Sequence, residues 1–278
     1  MRRRPATVPL IIGATFLGGV LLTVVAGHVL VSPDSTAMFS AVPNLPPDAA
    51  HPLGTQSQGR DMLAVMAAAI PATLFVSLLG GGVAVIIGTI LGMTAGYFGG
   101  VVDGIIRTAV DVALTIPTLA VLILIGASFP VVSLSAMGFI IALTAWMGPA
   151  RVVRAQVLTL REREFVRIAK LSGLGGFRII ALELLPNLIP FLSAIFVNAV
   201  VTATAATIGL EVLGLGPRQT ITLGNTIFEA LYYTAMWRGM WWWWAPPVIV
   251  LVCLFQGLFF IGKALDSIAN PRALGATT

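Results

Sequence analysis

Residues Ile70–Phe98 read IPATLFVSLLGGGVAVIIGTILGMTAGYF and contain no charged side chain. A helix needs about 20 consecutive apolar residues to cross the hydrocarbon core of a bilayer, so this stretch predicts a membrane-spanning helix. Its small residues recur at every fourth position, namely Gly80, Ala84, Gly88, Gly92 and Gly96. Because such a ridge lets a neighbouring helix approach closely, we expect a tight helix–helix contact along it.

The composition of the whole chain is also that of a membrane protein. Of 278 residues, 58% are hydrophobic and 10% are charged, whereas a soluble domain carries roughly 25% charged residues. The formal charge of +5 does not indicate nucleic-acid binding, because the basic residues lie between apolar runs and form no basic stripe. A single cysteine, Cys253, and two histidines exclude a disulfide framework and leave little material for a metal site.

Further apolar runs predict an all-α integral membrane protein with six transmembrane helices. The other five spans are Pro9–Val31, 105–128, 134–154, Pro186–Leu210 and Ala245–Lys263. We expect Pro117 to kink the third span. We read the first span as a retained anchor, since no small-x-small cleavage site follows it. A rival count of seven treats Gly80–Gly82 as a turn, but its two extra helices would be short for a bilayer.

The distribution of lysine and arginine predicts which ends are cytoplasmic. Six spans with both termini inside place 13 of the 16 basic residues on the cytoplasmic side, including Arg2, Arg3 and Arg4. The chain then divides into an N-terminal anchor with an external loop (1–60), a core (61–266) and a cytoplasmic tail (267–278). The core carries a cytoplasmic insert at 155–185, which we call the coupling insert.

The coupling insert has the pattern of a short helical hairpin. Within Leu160–Ser172 an amphipathic helix is predicted, with one face formed by Phe165, Ile168, Ala169 and Ser172. Gly173, Gly175 and Gly176 then favour a helix C-terminus. A second short helix, Phe177–Leu185, is predicted to lead to Pro186. Three interpretations stay open: docking to a partner protein, an interfacial helix held by anionic lipid, and a solvated loop.

Polar and aromatic side chains in the later spans are the other candidates for function. Asn198 and Thr202 fall on one face of the fifth span, where they either line a wet cavity or bond across helices. The four tryptophans Trp241–Trp244 favour an interfacial anchor, with solute stacking as the alternative. Asp111 is the one ionisable side chain that we place inside a span, with Arg107 one turn before it.

Five stretches resemble permeases of ABC importers, in the version found in dipeptide, oligopeptide and nickel systems, and specifically their second permease subunit. Leu158–Pro190 is similar to the cytoplasmic signature called the EAA loop, through its LREREF run, Ala169 and Gly173. The other stretches are HPLGTQSQGRDML (His51–Leu63), AGYFGG with a following Asp103, GLEVLGLG (Gly209–Gly216) with Leu223–Asn225, and DSIANPRAL (Asp266–Leu274). Together they cover the chain from His51 onward.

Three positions depart from the family pattern. Arg167 stands where the family usually has glutamate, Gln56 replaces an aspartate of the external motif, and Glu183 stands where histidine is common. The basic residue at Arg167 changes the chemistry of the contact that the EAA loop is expected to make.

The resemblance implies a type I ABC importer permease fold in the bacterial inner membrane, forming half of a translocation path. It implies that the coupling insert seats in a groove of an ATPase, through Glu162, Glu164, Phe165, Arg167, Ala169, Lys170 and Gly173. The implied partners are a second, homologous permease, two ATPase subunits or one fused pair, an extracytoplasmic solute-binding protein and membrane lipid. The cargo stays open among peptides, nickel, heme and sugar-like solutes.

The chain itself is not expected to be an enzyme or to bind a cofactor. Gly257–Ala264 nearly matches a P-loop, but it lies in a predicted span and has alanine in place of the hydroxyl residue. We therefore expect ATP and magnesium to be bound by partner subunits. The main alternative function is an ion-coupled secondary transporter subunit, which would need ionisable residues deep in its spans.

Overall fold

The computed structural model of the chain describes residues 7–129 and 131–269. Within these residues, apart from one isolated antiparallel bridge between Thr55 and Asp61, the regular structure is helical. The helices are α1 (Thr7–Leu30), α2 (Met62–Phe98), α3 (Gly100–Thr115), α4 (Thr118–Ser128), α5 (Leu134–Ala145), α6 (Met147–Leu160), α7 (Glu164–Leu171), α8 (Gly176–Ile179), α9 (Leu185–Val212), α10 (Leu223–Tyr232) and α11 (Trp241–Ala269). Arg2, Arg3, Arg4 and most of the predicted tail lie outside the described residues.

The number of spans agrees with the predicted six when each bent pair of helices is counted as one span. Four helical stretches are long and apolar enough to cross a membrane, namely α1, α2, 176–212 and α11. Two bent pairs pass the same test, α3 with α4 at 79° and α5 with α6 at 47°. The seven-span alternative is wrong, because Gly80–Gly82 lies inside the continuous helix α2.

The sharp bend between α3 and α4 has a local cause. Pro117 stands at the N-cap of α4, and Ile116 before it is extended, with φ −83° and ψ 127°. The ring of a proline clashes with a helical conformation at the preceding residue. The predicted kink at Pro117 is therefore confirmed, whereas the second bend, at Trp146, was not foreseen from the sequence.

Helix α2 lies at the centre of the bundle and packs through its glycine ridge. A Cβ on Gly80 would meet α5 at Ile141, and one on Gly96 would meet α6 at Val157. On another side of α2, a Cβ on Gly81 would lie 2.8 Å from the backbone nitrogen of Val200 in α9. The predicted close helix–helix contact is confirmed, and it involves three different partners.

The first and last helices of the described chain pack against each other. A Cβ on Gly13 of α1 would lie 2.9 Å from the carbonyl oxygen of Gly257, and one on Gly257 would meet Leu17. Gly257 belongs to the P-loop-like run, which is helical throughout within α11. A phosphate-binding loop needs a glycine-rich turn with free N–H groups, and a continuous helix offers none there.

One end of the bundle, which we call the loop end, carries residues 31–61 and 213–240. Asp61 caps α2 there: its Oδ1 accepts hydrogen bonds from the N–H groups of Leu63 (2.8 Å) and Ala64 (3.0 Å). Its Oδ2 contacts Nδ1 of His51 at 2.7 Å. Asp61 is fully buried, so one carboxylate both starts α2 and ties the preceding loop to it.

Replacing Asp61 by alanine will destabilise the chain by at least about 1–2 kcal/mol, the usual loss for an N-cap. It also leaves His51 without its carboxylate partner. Unfolding of the purified protein in detergent, followed by its temperature midpoint, measures the effect. Asp34→Ala is the control, because Asp34 lies in a single exposed turn of the same loop; equal midpoints for the two variants would refute the prediction.

The tryptophan run differs from the simple interfacial anchor that we expected. It forms the first turn of α11, and its members have different environments. Trp243 is fully buried and stacks on Tyr233, with ring centroids 5.8 Å apart. Trp242 donates a hydrogen bond from Nε1 to the carbonyl of Thr55 (3.2 Å). Trp241 is exposed, so of these three only Trp241 is free to contact an interface.

Candidate functional site

The coupling insert lies at the end of the bundle opposite the loop end, beside the C-terminus of α2. Helix α7 follows α6 after a short turn and ends at Leu171. Gly173 has φ +77°, and the N–H groups of Gly173 and Leu174 donate to the carbonyls of Lys170 and Ala169. This pair of bonds is a Schellman motif, which confirms the predicted glycine stop.

Helix α7 is seated firmly on the body of the protein. Val166 and Ala169 are buried and belong to one apolar cluster with Val153 and Val157 of α6 and Leu188 of α9. Interiors of this kind are close-packed and transmit displacement. A force applied to α7 is therefore carried directly into α6 and α9.

The predicted apolar face of α7 is partly wrong. Ala169 is buried and Phe165 is half-buried, but Ile168 and Ser172 are exposed. The side that faces the protein is set by Val166 and Ala169 instead. Apolar residues lie on more than one side of this helix, so periodicity alone did not identify the buried side.

The predicted second helix of the insert also differs. Helix α8 covers only Gly176–Ile179, and a π-helical turn, Ile180–Leu184, joins it to α9. The stretch 176–212 is thus helical without a gap. Pro186 lies just after the π-helical turn, and because it has no N–H it interrupts the backbone hydrogen bonding of this continuous stretch.

Polar and aromatic contacts join the insert to the end of α2. Arg161 donates from Nη1 to the carbonyl of Gly96 at 2.9 Å. The ammonium of Lys170 lies 5.4 Å from the ring centroid of Tyr97, within cation–π range. Phe177 packs on Phe98 with centroids 5.3 Å apart. A hydrogen bond, a cation–π contact and an aromatic contact therefore hold the insert against the end of α2.

Ion pairs brace the helices beside the insert. Arg154 of α6 donates to both carboxylate oxygens of Asp103 in α3. Asp111 pairs with Arg151 at 2.5 Å and with Arg107 at 3.5 Å, which confirms the expected i, i+4 contact. The pairs made by Arg151 and Arg154 join α6 to α3, which is the first half of the bent α3–α4 span.

The structure places the predicted coupling residues in two groups. Phe165 and Ala169 lie towards the body, as described above. The others are exposed: Glu162, Glu164, Arg167, Lys170 and Gly173. Two exposed apolar side chains lie beside them: Ile168, which belongs to the apolar face predicted from the sequence, and Leu171, which sequence reasoning missed and which is 88% exposed. We call Arg167, Ile168, Lys170 and Leu171 the outer face of α7.

The predicted path residues share one exposed face of α9. Asn198 donates to the carbonyl of Ala194 (3.0 Å), and Thr202 donates to the carbonyl of Asn198 (3.0 Å). Both side chains thus bond within their own helix and make no bond across helices among the described residues. Thr204 and Thr207 are buried on another side of α9.

A buried carboxylate was overlooked in the sequence. Glu211, near the end of α9, is fully buried, and its Oε2 accepts a hydrogen bond from the N–H of Gly224 (3.0 Å). Its Oε1 has no partner among the described residues. The expectation that Asp111 is the one ionisable side chain within a span is therefore wrong, because α9 extends past the predicted end of the fifth span.

Comparisons with known proteins agree with this architecture. A family model described as "binding-protein-dependent transport system inner membrane component" matches residues 88–275. The oligopeptide transport system permease protein OppC of Lactococcus lactis is 31% identical over 227 residues, 80% of this chain and 76% of that protein. The dipeptide permease DppC of Bacillus subtilis is 38% identical over 179 residues, 62% and 54% of the two chains.

A third relative covers nearly the whole chain. The putative peptide permease BruAb2_0794 of Brucella abortus is 31% identical over 270 residues, 94% of this chain and 87% of that protein. The match to the family model extends over both bent pairs, the coupling insert and α11. The chain belongs to the family of binding-protein-dependent transport system inner membrane components, which are multi-pass permeases of the bacterial inner membrane.

Proposed function

We propose that this chain is one permease subunit of an ATP-driven importer of peptides or peptide-like solutes. The observation that carries the proposal is the coupling insert, a rigid protrusion with an exposed outer face on α7. The relatives named as oligopeptide and dipeptide permeases support the class of solute. The chain forms half of the translocation path, and a second, homologous permease forms the other half.

The coupling is mechanical in this proposal. The outer face of α7 docks on an ATPase, and closure of the ATPases moves α7. Because Val166 and Ala169 share one packed cluster with α6 and α9, that displacement reaches the spans as a rigid-body motion. ATP and magnesium are bound by two ATPase subunits or one fused pair, not by this chain.

The same proposal assigns each end of the bundle to one side of the membrane. The coupling insert and both termini face the cytoplasm, as the charge distribution predicts. The loop end then faces outward, where an extracytoplasmic solute-binding protein delivers the solute. The exposed side of α9 with Asn198 and Thr202 faces the path between the two permeases.

An ion-coupled carrier is the alternative, and the burial of Glu211 gives it one ionisable group to use. Reconstitution of the native assembly in proteoliposomes separates the two mechanisms. An importer takes up labelled peptide only with ATP and continues when ionophores collapse all ion gradients. Uptake that needs a gradient and ignores ATP would refute the proposal. Mass spectrometry of the same assembly must identify a second permease and an ATPase.

A cysteine at position 198 tests the predicted path. In a Cys253→Ser background, Asn198→Cys will react with a water-soluble methanethiosulfonate reagent, because a path carries water to that face. Thr204→Cys is the matched control, since Thr204 is fully buried on another side of α9, and it will stay unlabelled. Labelling of neither cysteine would place the Asn198 face against lipid or protein.

A further inference from the structure

A cavity of about 610 Å³ lies at the loop end, between the loop before α2 and helix α10. Its walls combine charged, amide and aromatic side chains, among them Phe39, Gln58, Arg60, Arg218, Glu229 and Tyr232. Small-molecule sites have volumes of about 300–1,000 Å³ and a few convergent polar groups on a largely apolar wall. The cavity therefore has the size of a ligand site, and its wall is more polar than usual.

The inner wall of the cavity holds polar atoms without partners. Arg60 and Glu229 form a loose ion pair at 3.8 Å, and both side chains are largely buried. Nε of Arg60 and Oε1 of Gln58 are buried and have no hydrogen-bond partner among the described residues. Gln58 itself is only 8% exposed. Buried polar groups in native proteins are normally paired, so the side chains behind this wall have hydrogen-bonding capacity that the described residues do not use.

The net charge of the cavity wall is positive, because it carries two guanidinium groups, Arg60 and Arg218, and one carboxylate, Glu229. Burial raises the pKa of the Glu229 carboxyl, and the charge of Arg60 opposes that rise. Arg218 is exposed on the cavity wall and makes no ion pair among the described residues. A guanidinium binds a carboxylate through two parallel hydrogen bonds, so the free group suits an anionic terminus.

Aromatic surface lies open beside these charges. Tyr232 stacks on Phe228 with centroids 5.9 Å apart and is 71% exposed. Phe39 on the opposite wall is 76% exposed and has a positive φ of 60°, an uncommon conformation for a non-glycine residue. Its exposed ring would be covered by an apolar group of a ligand.

We propose that this cavity binds the C-terminal residue of a short peptide, with Arg218 holding the free carboxylate and the aromatic walls covering an apolar side chain. The largely buried ion pair of Arg60 and Glu229 forms another part of the wall. The cavity is thus a receiving site at the outer mouth of the path. This inference rests on the proposed import of peptides and adds a site on the permease itself.

Equilibrium binding of radiolabelled Ala-Phe to the purified assembly in nanodiscs, without the solute-binding protein, tests the site. We expect Arg218→Gln to weaken binding by about tenfold, the loss of one charge-assisted contact. Arg218→Lys will restore part of it, because lysine keeps the charge without the planar fork. Arg238→Gln is the matched control: Arg238 is also at the loop end but bonds Ser57 and does not line the cavity.

The amide Ala-Phe-NH2 separates carboxylate recognition from other effects. It will bind the wild-type assembly weakly and will be insensitive to Arg218→Gln. Equal losses for acid and amide, or no loss for either, would overturn the inference. An effect of Arg218→Gln on affinity for the solute-binding protein alone would make the cavity a docking surface and would also overturn it. Absence of ATP-driven Ala-Phe uptake by the wild-type assembly would refute peptide import itself, which is a separate measurement.

Discussion

Leu171→Asp will abolish ATP-driven uptake while leaving the chain itself as stable as the wild type. Leu171 is 88% exposed on the outer face of α7, so the carboxylate removes no packing within this subunit. A few residues at the centre of a protein interface contribute most of its binding energy, about 2 kcal/mol or more each, and an unpaired charge buried there opposes binding. The ATPase subunits will therefore fail to co-purify with the tagged permease.

Two further variants make this result specific. Leu171→Met keeps an apolar side chain of similar size and will retain uptake and co-purification. Ala169→Asp places the same charge beneath α7, where Ala169 is buried, and will lower the unfolding temperature as well as uptake. Normal uptake by Leu171→Asp would show that the outer face of α7 is not the docking surface.

Gly92→Ala will destabilise the bundle although alanine is the better helix former. A Cβ at position 92 would lie 2.7 Å from the carbonyl oxygen of Ala150 and 3.0 Å from the backbone nitrogen of Arg154. Backbone atoms cannot move aside as a flexible side chain can, so α2 and α6 must separate. Overpacking of this kind costs about 1–3 kcal/mol, occasionally more, and the lost contact will reduce the yield of folded protein.

Gly82→Ala is the matched control on the same helix. A Cβ there would meet only the edge of the Phe196 ring, at 3.7 Å. Alanine is favoured over glycine in a helix by about 1 kcal/mol, so this variant will unfold at the same or a higher temperature. The two substitutions are chemically identical, yet we expect Gly92→Ala to lower the unfolding temperature and Gly82→Ala not to lower it. A stabilising effect of Gly92→Ala in detergent would contradict the packing described for α2.

Features with a short-range cause could be predicted from the sequence. The glycine ridge of α2, the kink at Pro117 and the glycine stop at Gly173 each depend on local residue properties. The existence of six apolar stretches also follows from length and charge. The bend at Trp146 also has a local signal, which was overlooked: Gly148 and Pro149 follow it, and Pro149 has no N–H to bond the carbonyl of Ala145.

Features that depend on distant contacts were missed or assigned wrongly. Val166 and Ile168 are similar side chains two residues apart, and only the apolar cluster against which α7 packs decides which of them is buried. Glu211 is buried because the first turn of α10, with Gly224, packs on it. The tryptophan run looked uniform, yet Trp243 is in the core because Tyr233 lies over it. The amphipathic insert could be found from the pattern, but its docking side could not.

The contact between α1 and α11 has a consequence for the biogenesis of the protein. Gly13 and Leu17 of α1 contact Gly257 of α11. Trp242 of α11 also donates a hydrogen bond to the carbonyl of Thr55, in the loop after α1. Helix α1 therefore leaves the ribosome well before one of its main partners, α11, has been synthesised. Until then α1 lies in lipid or beside the insertion machinery, without that partner. A ribosome that stops before α11 releases a chain whose first helix lacks that neighbour, and such a chain is a natural substrate for membrane proteases.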